Sequence, residues 1–194
     1  MATPAIKFER YGNHFRTYTG KRFYPLDPRA EEIDIIDIAH SLSNMCRFTG
    51  HTKFFYPVSQ HSVLVSDSLP KVYRKWGLLH DAAETYLFDC ARPVKYSEEM
   101  KAYRVIEERI MKEVARKFGL MWPEPDLVGA ADDAIVVTEQ HALFPPDEGW
   151  PLPPVTLHVP IHYWGQVEAE RQFLMAWQDI ESDPIAHFNV TGRK

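Results

Sequence analysis

Apolar side chains recur every three or four positions from Met100 through Tyr103, Ile106, Ile110 and Val114 to Phe118, and Gly119 follows at once. That is the period of one helix face, whereas a half-buried strand repeats every two residues. The longest patterned stretch of the chain therefore predicts a helix that opens at a Ser97 cap and stops at Gly119. Glu108 with Lys112 and Glu113 with Lys117 place opposite charges four apart on its wet side.

Helical spacing accounts for most of the remaining chain. From Asp34, the residues Ile35, Ile38, Ala39, Leu42, Met45 and Cys46 fall on one face and predict a first helix ending near Gly50. A second helix is expected over Val58 to Ser68, and a third opens at Pro70, a favoured first-turn position, and runs to about Leu87. A fifth covers roughly Pro125 to Leu143, and a sixth begins near Tyr163 with Trp164, Val167, Leu174 and Trp177 as its buried positions. Between these two, FPPDEGWPLPPVTLHVP holds six prolines and reads as a long surface loop over 144–160. The first thirty residues mix aromatics such as Phe15, Tyr18 and Phe23 with Gly12, Gly20 and Pro25, which suggests a short hairpin or an ordered arm. The expected fold is all-α: one helical domain over 31–194 behind an irregular N-terminal arm over 1–30.

Composition then excludes several classes. At 194 residues the chain has the length of one domain, and 45% hydrophobic with 25% charged residues is ordinary globular usage. A formal charge of -5 argues against a general nucleic-acid or anionic-membrane binder, since phosphate backbones are held by positive surface. Cys46 and Cys90 fit no metal spacing and are too few for a disulfide scaffold. No apolar run approaches the 18 residues or so that a membrane span needs, and MATPAIKFER lacks a signal-peptide core, so a cytoplasmic location is expected.

Against this ordinary background, WGLLHDAAETYLFD sets His80, Asp81 and Glu84 among leucines and alanines. Such groups cost several kcal/mol to bury unpaired. His61 interrupts the apolar second helix, and Asp132 with Asp133 interrupts the fifth. Side chains on three separate helices can meet inside a bundle, and imidazole with carboxylate suits zinc, manganese, cobalt or iron. The order is specific: a His, a His-Asp pair about twenty residues on, and an Asp about fifty beyond that.

At these residues the chain resembles a family, the HD-domain metal-dependent phosphohydrolases, and within it the bacterial 5′-deoxynucleotidases and phage dATP triphosphohydrolases. LSNMCRF, VSQHSVLVS, LLHDAAETYLFD, RPVKY, AYRVIEE and AADDAIVVTE carry the likeness, in order, from Asp34 to Leu143. The resemblance implies a helical HD bundle in which His61, His80, Asp81 and Asp132 hold one divalent metal (zinc, cobalt or manganese), with magnesium as a further ion on the substrate phosphates. Asp132 matches the motif, while Asp133 is expected to be a solvated helix residue. The resemblance also implies Glu84 as proton shuttle or its orienter and Asp89 as a residue that places the water. Arg47, Lys95 and Arg92 fall in blocks that meet phosphate or sugar in the nucleotidases, Phe48 falls where an aromatic packs near the sugar, and Arg104 is a further cation.

The implied activity is hydrolysis of a deoxynucleotide at the α-phosphate. A dATP or other dNTP triphosphohydrolase is the first expectation, in a phage-like context and in the host cytoplasm. A 5′-deoxynucleotidase acting on monophosphates is the alternative, and a non-catalytic nucleotide-sensing module is a third. Relatives of this kind form homodimers or larger rings such as hexamers, so a homo-oligomer is expected, with no nucleic acid and no membrane as partner. His40, His51, His141, His158, His162 and His187 are assigned to structure, surface or pocket lining rather than to the metal.

Overall fold

A computed structural model describes residues 10–146 and 152–185. Among these, the chain is all-α with one minimal sheet. The helices are α1 (Ile35–Asn44), α2 (Val58–Ser68), α3 (Arg74–Leu79), α4 (Arg92–Lys95), α5 (Lys101–Phe118), α6 (Asp126–Leu143) and α7 (Gln166–Ser182). Short 3-10 turns fill several of the joints, over Lys71–Tyr73, Ala82–Tyr86 and Glu98–Met100 among others.

The expected hairpin is present as β1 (Phe15–Arg16) paired antiparallel with β2 (Arg22–Phe23). It is part of the packed body: Phe23 is fully buried and stacks on Tyr86 with ring centroids 3.8 Å apart. Asp37, buried at the start of α1, accepts the backbone N–H and hydroxyl of Thr19 and so ties the hairpin turn to the bundle.

Helix α2 lies at the centre, against α1, α3, α6 and α7. It is buried almost all round, the mark of a core helix, and its polar residues are paired rather than solvated. Ser59 meets Ser43 at 2.8 Å, Ser62 donates to the Val58 carbonyl and Ser66 to that of Arg74. Gly77 lets α3 approach closely, since a Cβ there would sit 2.9 Å from Ser66 Cα. This approach brings the C-terminal end of α3 face to face with His61.

Several boundaries differ from the sequence expectation. α1 ends at Asn44 rather than near Gly50, because Met45 turns extended and Cys46 bridges to Pro57. The expected helix from Pro70 to Leu87 is broken: Pro70 precedes a 3-10 turn, α3 stops at Leu79, and Asp81 at φ −96°, ψ 12° leaves the helical path. Ser97 opens a 3-10 turn without a capping side-chain bond to it, although Gly119 stops α5 in the left-handed conformation as expected. Glu108 pairs with Lys112, but Glu113 accepts from Arg116 and from the Ala30 backbone instead of pairing with Lys117. In α7 the buried stripe is Ala169, Phe173, Ala176 and Ile180, and Val167 is 84% exposed. The described parts of the proline-rich segment, 144–146 and 152–160, run without helix or strand, and Leu157 accepts a hydrogen bond from Thr138. His187 lies outside the described residues.

No helix among the described residues is long and apolar enough to cross a membrane.

Candidate metal centre and its cleft

His61 projects from the middle of α2 and is completely buried. Its Nδ1 lies 2.6 Å from Glu139 Oε1 on α6. His80, at the end of α3, has its Nδ1 2.7 Å from the carbonyl oxygen of Gly77. Carboxylate and carbonyl oxygens only accept, so both Nδ1 atoms carry hydrogen, and each ring in its neutral form presents an Nε2 lone pair. Those two Nε2 atoms are 3.2 Å apart.

Oxygen lone pairs crowd the same point. Asp81 Oδ2 is 3.2 Å from His80 Nε2 and 3.7 Å from His61 Nε2, and Asp132 Oδ1 is 3.1 Å from His61 Nε2. Donor atoms of His61, His80 and Asp81 all lie within 4.8 Å of one another. Asp132 joins that trio through His61, and its second oxygen is held by Arg92 at 2.5 Å. The helix break explains how neighbours converge. In a continuous helix Asp81 would point about 100° away from His80, and its departure at φ −96° turns the carboxylate back onto the imidazole.

Lone pairs this close repel unless a cation lies between them. In a metal-free site the cation is a proton. Burial disfavours a charged His80, but the carboxylates of Asp81 and Asp132 outweigh it and raise its pKa to about 9. Burial and Arg47 pull His61 down, yet Glu139 and Asp132 leave it shifted upward. Burial pushes Asp81 up, while His80, His61 and Arg47 hold it well below the ordinary carboxylate range; Asp132 is likewise held down by His61 and His80. Two imidazole nitrogens and two carboxylate oxygens gathered at one point are also a donor set that fits a divalent transition metal.

Glu139 is the functional residue the sequence reading missed. It is fully buried and accepts from His61, from the Tyr56 hydroxyl at 2.7 Å and from Arg47 Nη2 at 3.2 Å. Burial pushes its pKa up, but Arg47 and His61 bring it down to about 2. A signal was available: Glu139 stands seven residues from Asp132, two turns along the same helix face. A carboxylate behind a ligating histidine fixes the tautomer and the ring orientation.

A cleft of about 250 Å³ opens beside this cluster, lined by Asp81, Asp132, Glu84, Asp89, Arg47 and Lys95 among others. Glu84 is buried there, and its Oε2 has no hydrogen-bond partner among the described residues. Burial, reinforced by Asp81 and Asp89, raises its carboxyl well above the ordinary range. Burial also raises Asp89. Three of the expected cations, Arg47, Lys95 and Arg92, are at the cleft, but each is already paired. Arg47 reaches Asp81 at 3.4 Å and Glu139; Lys95 pairs with Glu107 at 2.7 Å; Arg92 pairs with Asp132 and, at 2.6 Å, with Asp133. Asp133 is otherwise exposed, as expected. Arg104 points away from this role and donates to the carbonyls of Lys95 and Ser97. Phe48 lines the cleft, with the Arg47 guanidinium 5.2 Å above its ring. His40 sits apart, stacked on Tyr18 and paired with Glu170.

The chain is similar to the uncharacterized protein YfdR of Escherichia coli K12, 38% identical over 138 residues, which cover 71% of this chain and 76% of that protein. It belongs to the YfdR family. A second relative of this chain, an uncharacterized protein of Rhodobacter capsulatus, is 37% identical over 114 residues, or 54% of this chain and 58% of that one. No family model matches the chain. Family membership thus rests on the likeness to YfdR over 71% of this chain, and the chemistry has to be argued from the site.

Proposed function

We propose that the protein is a metal-dependent phosphohydrolase of the HD type that cleaves deoxynucleotides at the α-phosphate. The observation that carries this reading is the pair of Nε2 atoms 3.2 Å apart, framed by two carboxylates, with both Nδ1 atoms already facing oxygen acceptors. His61, His80, Asp81 and Asp132 would hold the ion. A divalent cation held there would neutralise charge on a phosphoryl oxygen and acidify the attacking water.

The chain's own groups supply the remainder. Burial beside two other carboxyls raises the Glu84 carboxyl well above the ordinary range, and Glu84 lines the cleft. In its protonated form it would give that proton to the sugar 5′-oxygen as the ester bond breaks, which is the role of a general acid. Asp89 shares the wall and orients the attacking water. Arg47 and Lys95 face the phosphate and remain cationic, since burial against them is outweighed by their carboxylate partners.

Between the two substrates the cleft favours the monophosphate. Its volume of about 250 Å³ is near the lower end of small-ligand sites, and all three of its cations already have carboxylate partners, which leaves little positive charge for a triphosphate tail. The triphosphate remains the second reading, on the strength of the phage-like motifs.

The deciding experiment incubates the purified protein with manganese, cobalt or zinc and each of the four dNMPs and four dNTPs, and identifies the products. Deoxynucleoside with inorganic phosphate from monophosphates is expected. Intact triphosphate from a dNTP would move the assignment to a triphosphohydrolase, and no release from any of the eight would refute the reading.

A further inference from the structure

The far end of the cleft carries features that the phosphate chemistry does not use. Gln140 lies two turns beyond Asp132 on α6, about 12 Å along the helix axis, and lines the same cleft. Its side-chain amide has no hydrogen-bond partner among the described residues, and it is only partly exposed. Phe48 lines the cleft as well, edge-on to Phe144 at 5.2 Å, and Phe144 follows Gln140 by one turn. Val136, midway along the face, completes an apolar wall.

The backbone at Phe48 is strained. Phe48, Thr49 and Gly50 take φ of 53°, 51° and 81°, and only the glycine does so freely. Left-handed conformation at residues with a Cβ is costly and persists where the surroundings impose it, most often at functional sites. Here the loop is anchored to the end of α6: Lys53 donates its backbone N–H to the Leu143 carbonyl and its ammonium to that of Ala142. The anchor fixes the loop that carries Phe48 to the end of the helix that carries Gln140, and both residues line the cleft.

We infer that Phe48 and Gln140 form a nucleobase subsite, the ring packing on the base and the amide reading its hydrogen-bonding edge. This rests on the deoxynucleotide reading above. The distance along α6 from the metal ligand Asp132 to Gln140 suits the span of a nucleotide from phosphate to base edge. A primary amide offers one donor and one acceptor side by side, which complements adenine or cytosine in one orientation and guanine or thymine in the flipped one. No neighbour among the described residues fixes the amide, so it serves both. The subsite therefore requires a base without choosing among bases.

The test compares kcat/KM for dAMP, dGMP and base-free 2-deoxyribose 5-phosphate in the parent and in Gln140→Leu. Leucine keeps the bulk and removes both hydrogen bonds, so the preference for either nucleotide over the base-free sugar phosphate should fall about tenfold. In the parent, dAMP and dGMP should be used within a few-fold of each other. An unchanged preference in Gln140→Leu overturns the subsite while leaving the hydrolase reading intact, and so does a hundredfold base selectivity in the parent. If the parent cleaves none of the three and none of the other deoxynucleotides, the hydrolase reading fails and takes the subsite with it. Phe48→Leu provides a second variant: loss of the ring should lower the same preference, and no change would count against the inference.

Discussion

Replacing Glu139 by Gln is nearly isosteric, yet every partner of this carboxylate is a donor: His61 Nδ1, the Tyr56 hydroxyl and Arg47 Nη2, at 2.6, 2.7 and 3.2 Å. Gln can accept from one or two of them, but its NH₂ has nothing to donate to. The buried Arg47 loses one of its two carboxylate partners. Breaking a buried ion pair in this way costs about 3–5 kcal/mol. At about 2–4 °C per kcal/mol for a domain of this size, the metal-free variant should melt about 6–20 °C below the parent. His61 also loses the group that holds its tautomer, so affinity for zinc or manganese should drop about 10- to 100-fold. Thermal melts in chelator read the first effect, and competition with a chromophoric chelator reads the second. A variant that melts within about 2 °C of the parent and binds metal equally well would refute the assignment of Glu139 as the orienting carboxylate.

Glu84→Gln should keep its metal content and lose about 10²- to 10⁴-fold in kcat, because the amide cannot deliver a proton; near-parental turnover with bound metal would exclude Glu84 as general acid. Gly77→Ala puts a Cβ 2.6 Å from Leu69 Cδ1 and 2.9 Å from Ser66 Cα, so α3 must retreat from α2 and carry His80 with it; a stability loss of about 1–3 kcal/mol with weakened metal binding is expected in denaturant titrations with and without zinc. Asp34 caps α1 at Ile36 N and pairs with Lys21 at 2.9 Å, and Asp34→Ala should cost about 1 kcal/mol at neutral pH. Burial pushes Asp34 up, but Lys21 and the Ile36 amide hold its pKa below the ordinary value, so its contribution is complete above the ordinary Asp range and is lost as pH falls through the folded value. Urea midpoints of parent and variant should therefore converge in acid, and a constant gap would contradict the cap.

Local signals determine what was readable in the sequence. Asp34 before a periodic run, the bounds of α2 and the left-handed Gly119 all depend on residue types close in sequence, and all three agree with the structure. The ladder of His61, His80, Asp81 and Asp132 was visible because ionisable groups are rare on apolar faces. The break at Asp81 was not visible. HDAAET holds neither Gly nor Pro and contains Ala82, Ala83 and Glu84, all good helix formers, yet the chain leaves the helix there in a tertiary setting where Asp81 meets His80 and Arg47. The pairing of every cleft cation was hidden for a similar reason, since Lys95–Glu107 and Arg47–Glu139 join residues from different elements. Glu139 was legible by its spacing from Asp132 but sits in a stretch, VVTEQ, that looks like an ordinary wet turn of helix.

The excursion between Cys46 and Pro57 is closed at its neck by Arg47 N–H to the Tyr56 carbonyl at 2.9 Å and Val58 N–H to that of Met45 at 3.0 Å. Such a neck makes the tip a cassette. Lengthening a flexible loop costs little, about 0.6 kcal/mol for each doubling, and the neck keeps Arg47 registered against Asp81 whatever the tip contains. Insertions around Thr49 to Thr52 would thus reshape what the outer cleft admits while the ligand shell stays where it is, which makes this loop the natural place to graft new substrate preferences onto the chain.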